Sequence, residues 1–221
     1  MRKPKTGSVR VPSPYESTTW KTERASVAKL AHWMSDIIER KGLDLGLPDV
    51  DTSGTDRKSP DMVIYESRRS QNVLCVIEAK QPYFDVFDYE QLKKPAWDKA
   101  NARHARYFAT TNFKELIWFN TEKANALQPD DIIHRYHLSE LENLDLIEET
   151  RYKESIVRQL DIFLTTLHDV YTGKKHEPKL AIDELLIYRI HDKIMRLARY
   201  YTRIIEDRCH KDTAFASQLG K

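Results

Sequence analysis

Ser59–Lys80, SPDMVIYESRRSQNVLCVIEAK, is the stretch from which the fold is read. Two short apolar runs, Met62–Glu66 and Val73–Ile77, are rich in β-formers and flank the polar cluster Ser67–Asn72, the pattern of a β-hairpin. Folded symmetrically about that cluster, the hairpin pairs Glu66 with Val73 and Met62 with Ile77. Asp61 then stands opposite Glu78. Directly opposed residues share a face with β-carbons about 5 Å apart. Strand alternation puts Lys80 on the same face as Glu78, about 7 Å further along. The second run is otherwise apolar on both faces, Leu74 and Val76 on one and Cys75, Ile77 and Ala79 on the other, which predicts a central, buried strand.

This register gathers two carboxylates and an ammonium at one end of the hairpin. Partly buried carboxylates about 5 Å apart repel by roughly 3 kcal/mol at an effective dielectric of about 20. A hard divalent cation would offset this, since magnesium typically uses one or two carboxylates together with waters and substrate phosphates. The competing reading is that Lys80 neutralises the carboxylates as a structural ion pair.

Pro60-Asp61 followed by Glu78-Ala79-Lys80 at the end of an apolar strand resembles the signature of the PD-(D/E)xK nuclease superfamily. The longer string VLCVIEAKQP (73–82), Tyr89-Glu90-Gln91-Leu92 and TTNFKELIWF (110–119) are similar to the N-terminal nuclease domain of type I restriction (R) subunits and of nuclease–methyltransferase fusion restriction enzymes. The resemblance spans residues 20–120. The bare triplet is unspecific, because Glu39-Arg40-Lys41, Asp56-Arg57-Lys58 and Glu177-Pro178-Lys179 match it too, and Pro48-Asp49 repeats the Pro-Asp. Only the central copy closes an apolar strand with an acidic partner one hairpin upstream, and this context carries the weight.

The resemblance implies an α/β, restriction-endonuclease-like fold with a mixed central sheet flanked by helices. It implies an endodeoxyribonuclease of a restriction-modification system that uses Mg²⁺, with Mn²⁺ as a substitute, and leaves a 5′-phosphate. Asp61, Glu78, the Ala79 carbonyl and Glu23 would hold the metal. Lys80 would act on the reacting phosphate or water, and Gln91 would position the site. The implied partners are DNA, contacted through its backbone, and the methyltransferase/specificity or motor domains of a restriction complex. A repair or junction-resolving nuclease and a non-catalytic DNA-binding or assembly module are the alternatives that share these motifs.

Composition is compatible with this. The 221 residues are 40% hydrophobic and 32% charged, enough for one ordinary domain plus an appendage. No apolar run of about 18 residues exists to span a membrane, and Met1–Arg10 lacks the apolar stretch of a secretory signal. Two distant cysteines, Cys75 and Cys209, make no disulfide framework, which fits a reducing cytoplasm. A net charge of +2 leaves clustering as the relevant signal for nucleic acid. Arg68, Arg69, Lys93, Lys94, Lys99, Arg103 and Arg106 are candidate phosphate contacts or, equally, a solvated charged face. His134 and His137 lack a second ligand pair at zinc-site spacing. The six glycines form no phosphate loop, so neither ATP hydrolysis nor methyl transfer is encoded here.

In chain order, 1–19 reads as an irregular N-terminal arm and 20–150 as the nuclease domain. A helix from about Thr22 to Lys41 carries the stripe Val27, Leu30, Ala31, Met34 and Ile38, with Gly42 as its stop. Glu23 continues that stripe, which makes it either a member of the site or a first-turn acid favouring the helix dipole. A short strand is expected near Leu43–Leu47; Asp49 and Asp51, in the polar loop after it, are set aside as site acids because no strand follows them. A helix from about Val86, interrupted or offset by Pro95, carries Gln91, which is either near the scissile phosphate or merely on the surface. Strands are expected at Arg106–Thr111, Glu115–Phe119 and, as an edge, Ile132–His137. Residues 151–209 read as a helical connector of two helices, 152–171 and 182–207, and 210–221 as a disordered tail.

Overall fold

Apolar alternation and helical stripes produce two cores on either side of one sheet. The computed structural model describes residues 14–50, 59–124, 132–178 and 182–211. Helix α1 (Pro14–Lys41) is followed by strands β1 (Met62–Tyr65) and β2 (Val73–Ala79). A π-helical turn (Tyr89–Lys93) leads into α2 (Lys94–Ala102), and β3 (Tyr107–Thr111), β4 (Glu115–Asn120) and β5 (Ile132–His137) complete the sheet. Helices α3 (Thr150–Tyr171) and α4 (Ile182–Lys211) close the described chain. The five strands lie in the order β1-β2-β3-β4-β5. Only the β2–β3 pair is parallel; the others are antiparallel. This is the α/β class with a mixed sheet flanked by helices.

The parallel step from β2 to β3 needs a crossover, and α2 supplies it. Leu92, Ala96 and Ala100 recur at helical spacing and face Val76, Phe108, Ile117 and Phe119 on one side of the sheet. Small residues at two of those positions suit a close approach of helix to strand. Phe108 and Phe119 stack at 4.6 Å on the same side. The opposite face carries Met62, Ile64, Cys75, Ile77, Tyr107 and Trp118 against α1 and α3. Cys75 is wholly buried there, and burial pushes its thiol pKa up, away from the reactive thiolate.

The hairpin register is as expected at its open end and slips near its turn. Met62 pairs with Ile77, Val63 with Val76 and Ile64 with Cys75, but Tyr65 pairs with Val73 rather than Leu74. Glu66 therefore does not pair with Val73; its N–H bonds to Asn72 O at 3.0 Å instead. The Glu66 carboxylate also accepts from Asn72 Nδ2 at 3.0 Å, so the turn closes one residue early and leaves a bulge in β2. Because the slip lies beyond Ile64, the end bearing Asp61 and Glu78 keeps its register.

Several other expectations are corrected. Residues 14–19 of the expected arm belong to α1, with Pro14 at its first position, where a missing N–H costs nothing. Residues 43–47 form no strand. The chain instead lies along β1 through Gly46 N–H to Tyr65 O at 2.9 Å and one bridge, Asp49 to Val63. A side chain on Gly46 would put its β-carbon 2.5 Å from that of Tyr65, so only glycine permits this approach. The helix expected from Val86 starts at Tyr89, and its first turn is widened: Pro95 cannot donate to the ladder, and Lys94 N–H bonds to Tyr89 O. Residues 1–13, 212–221 and Asp51 lie outside the described residues.

The two C-terminal helices differ. In α3, Ile156, Leu160, Phe163, Leu164 and Leu167 are fully buried in the core, and Phe163 meets Trp118 at 6.0 Å and Tyr136 at 5.4 Å. Arg40 and Lys41 of α1 pair with Asp161 on it. The packed body thus extends to Tyr171, past the expected boundary at 150. In α4, by contrast, Ile187, Ile190, Ile194, Leu197, Tyr201 and Ile204 recur at heptad spacing and are all exposed. The turn between the helices is tied to the sheet by Glu177, which accepts from Asn120 Nδ2 at 2.8 Å and Lys123 Nζ at 2.6 Å.

This division predicts unequal sensitivities. Phe163→Ala should lower unfolding free energy by about 3–5 kcal/mol, the usual cost of emptying a buried aromatic site. Ile194→Ala should change it by less than about 0.5 kcal/mol. Urea titration of both variants checks this, and equal losses would contradict the assignment of α3 to the core.

Candidate active site

The end of β2 collects more charge than its sequence neighbours account for. Asp61 sits in the bend before β1, and its Oδ2 accepts the Ala79 N–H at 2.8 Å. This bond locks the bend against β2 beside Glu78. Glu78 is 4% exposed and lies on the α2 side of the sheet with Val76, whereas Leu74, expected on that face, is turned by the bulge to the α1 and α3 side. The strand neighbour of Glu78, Thr110, is fully buried, so water reaches the carboxylate poorly.

Lys80 follows the strand, held by its N–H to Thr111 O at 2.9 Å. Its Nζ lies 3.9 Å from Glu78 Oε1 and 3.9 Å from Glu23 Oε1. Glu23, in the third turn of α1, thus joins the cluster. The dipole reading fails for it, because α1 begins nine residues earlier, at Pro14, and not at Thr22. Gln91 is exposed on the π-helical turn, with its backbone N–H capped by Asp88 Oδ1 at 3.0 Å. No hydrogen bond among the described residues joins its side chain to the cluster.

Lys99, expected only as a phosphate contact or part of a solvated face, is instead a member of the cluster. Its Nζ donates to both oxygens of Glu78, at 2.7 and 2.6 Å, and it is itself only 9% exposed. It is therefore no surface contact for phosphate. A signal existed: Lys99 stands three residues after Ala96, beside the stripe Leu92, Ala96 and Ala100, on the face that turns to the sheet. Among the other basic candidates, Lys94 pairs with Asp98 at 2.6 Å and Lys93 lies over the Phe119 ring, while Arg68, Arg69 and Arg106 are exposed. His137 pairs with Glu140 at 2.9 Å and His134 meets the Tyr136 ring.

Three carboxylates, Glu23, Asp61 and Glu78, now face two ammonium groups, Lys80 and Lys99. Burial and the neighbouring Asp61 push the Glu78 carboxyl upward, against the pull of Lys99 and Lys80. Burial pushes Glu23 up to about 7; Lys80 pulls it down while Asp61 and Glu78 raise it further. The site is short of positive charge. Among the described residues no three His, Cys, Asp or Glu side chains are gathered into a ready cage for an ion. The donor set is hard oxygen with surplus negative charge, which fits magnesium held by one or two carboxylates and water, not an all-protein shell.

No family model matches the chain, and no curated protein matches it. Among solved structures it is similar to the type IIG restriction endonuclease BpuSI, with a TM-score of 0.44 and 14% identity over 69% of this chain and 17% of that one. The chain thus spans less than a fifth of that enzyme's length. No helix among the described residues is long and apolar enough to cross a membrane.

The electrostatics have a pH signature. Glu23 has a folded-state pKa of about 7 against an ordinary value of 4.5. A carboxyl raised on folding stabilises the protein fully below about pH 4.5, and that contribution is lost as pH rises through about 7. Metal-free protein should therefore melt at a lower temperature at about pH 8 than at about pH 5.5. Glu23→Gln should flatten this dependence and gain up to about 3 kcal/mol over wild type at the alkaline end. Thermal melts in chelator across that range are the check; parallel curves for the two proteins would show that Glu23 is not desolvated at the site.

Proposed function

We propose that this chain is a metal-dependent endodeoxyribonuclease domain, cutting phosphodiester bonds at the end of β2. The observation that carries this reading is the approach of Glu78 and Glu23 to Lys80, with Asp61 bonded to the Ala79 N–H next to them and a carboxylate left over after the ammonium groups are counted. Asp61, Glu78, the Ala79 carbonyl and Glu23 would hold Mg²⁺, or Mn²⁺ in its place, which when bound polarises a phosphate and acidifies a water. Asp61 is held in place by the Ala79 N–H. Glu78 is fixed by burial in the strand. Lys80 is the more exposed of the two lysines, and its ammonium would orient the attacking water or stabilise charge at the phosphorus. Gln91 would help position the substrate. The exposed Arg68, Arg69 and Arg106 would contact the DNA backbone.

The finer reading is that this is the nuclease part of a restriction-modification system, similar to type I R-subunit domains. The exposed apolar heptads of α4 support it, since such a face suits docking on methyltransferase/specificity or motor domains. A second reading has one observation in its favour. Lys99 bonds to both Glu78 oxygens, as a permanent structural pair in a non-catalytic module would.

Plasmid nicking separates the two. Wild type should nick with Mg²⁺ and not with EDTA, without sequence preference and with DNA binding that weakens steeply as salt rises. Lys80→Ala should lose cleavage by about 10²–10³-fold, the range for removing one transition-state donor, while calorimetry shows ion binding retained. Asp61→Asn should lose both cleavage and ion binding yet fold normally, because removing like-charge repulsion favours the metal-free protein, whereas Glu78→Gln should lose both at a cost in stability, because it leaves the buried Lys99 ammonium without its counter-charge. Wild type inert with Mg²⁺ would leave the structural-pair reading standing and the nuclease reading refuted.

A further inference from the structure

Among the described residues, Lys99 is the one buried ammonium that the mechanism above does not use. It projects from the sheet-facing side of α2, between Ala96 and Ala100, into the space beside the end of β2. Its Nζ takes one lone pair on each Glu78 oxygen, at 2.7 and 2.6 Å. Lys80 stands at 3.9 Å from the same carboxylate, beyond hydrogen-bond reach. Glu78 therefore already has a cation in the inner contact position, and that cation is Lys99.

A divalent ion on either Glu78 oxygen would sit about 2.0–2.1 Å from it. The ammonium lies within 2.7 Å of both oxygens, so it fills the position from which an ion would bridge them, and an ion there would have to displace it. We propose that Lys99 is an exchangeable counter-ion of the site, holding Glu78 while the divalent ion is absent and releasing it on loading, so that metal binding is a lysine-for-metal exchange. This rests on the nuclease reading and adds to it a positioning residue on α2. Lysine suits the part. Its ammonium is a compact point charge on a flexible four-carbon stem, able to swing away without moving the helix. While bound, Lys99 satisfies a carboxylate that would otherwise be buried without a close partner, a strongly destabilising arrangement. Released, the ammonium needs a new anion, and the DNA phosphate brought to the site offers one. Metal and DNA should accordingly bind more tightly together than apart.

The test is calorimetric titration of the full 221-residue chain with Ca²⁺, as wild type, Lys99→Met and Lys80→Met, alongside Mg²⁺-dependent nicking by wild type. Both variants remove one positive charge near Glu78, but only Lys99→Met removes a competitor for its oxygens. Lys99→Met should tighten Ca²⁺ binding at least about tenfold and well beyond the effect of Lys80→Met. Equal tightening in the two variants, or none in Lys99→Met, would overturn the exchange while leaving a wild type that binds ion and nicks as a nuclease. A wild type that neither binds Ca²⁺ nor nicks would sink the nuclease reading and the exchange together. Should Lys99→Met fail to fold, reductive methylation of wild type with mass-spectrometric readout decides the same point. Lys99 should be protected without Ca²⁺ and modified at saturating Ca²⁺, with Lys94 modified in both; protection of Lys99 in both states would overturn the proposal.

Discussion

A carboxylate buried at the end of a central strand is the constraint to which the rest of this structure answers. Glu78 has apolar sheet on its strand side and the sheet-facing stripe of α2 above it. An ionised carboxylate there is costly unless it is paired and hydrogen-bonded. Each surrounding feature reduces that cost or uses it. Lys99 supplies two charge-assisted bonds, Lys80 adds attraction at longer range, and the Ala79 N–H draws Asp61 into the same corner. The last of these works against the first two, since Asp61 raises the Glu78 pKa. A structure that only needed a stable core would carry an apolar residue at position 78. Retaining the charge and crowding it with more carboxylates is the pattern of a candidate functional site and supports the proposal made for it above.

Much of this corner was legible from residue types alone. The length of the two apolar runs sufficed to pair Met62 with Ile77, and Asp61, one residue before that pair, bonds to the Ala79 N–H next to Glu78. Alternation named β2 as buried on both faces. The stripe on α1 placed Glu23 on its inward side. What could not be read was anything depending on how far one element stands from another. Lys99 lies 21 residues from Glu78, and no local pattern links them. A lysine on a helix is ordinarily at the surface, and only the small residues Ala96 and Ala100 hint that α2 lies close enough for it to reach the strand. The slip at Tyr65 was hidden for a similar reason, since it comes from side-chain bonds of Glu66 to the turn that symmetrical pairing ignores.

The helices show the same limit in another form. Both α3 and α4 have amphipathic patterns, and pattern alone says that each has a face to cover, not where the cover lies. In α3 the face meets Trp118 and Tyr136, whose rings rise from β4 and β5. In α4 the heptad face is exposed. The difference originates in the turn between them. Glu177 fastens that turn to Tyr107, Asn120 and Lys123, so the chain is held to the sheet up to that point. Glu177, the acid of a decoy copy of the signature, thus ties the turn to the sheet, which separates it from Glu78.

The two lysines of the site have different neighbours, and this bears on how their roles divide. Lys80 lies about equally far from two carboxylates and bonds closely to neither; its side chain is 25% exposed. A cation in that position can lean toward an incoming anion without first breaking a strong bond. Lys99 has the opposite situation, with two short bonds, 10% side-chain exposure and a carboxylate that would be stranded by its loss. Its energy is invested in the ground state. Only interactions that strengthen in the transition state accelerate a reaction, so a lysine already saturated by Glu78 contributes little to chemistry while it remains there. Function for Lys99 therefore requires that it move, whereas function for Lys80 requires only that substrate arrive.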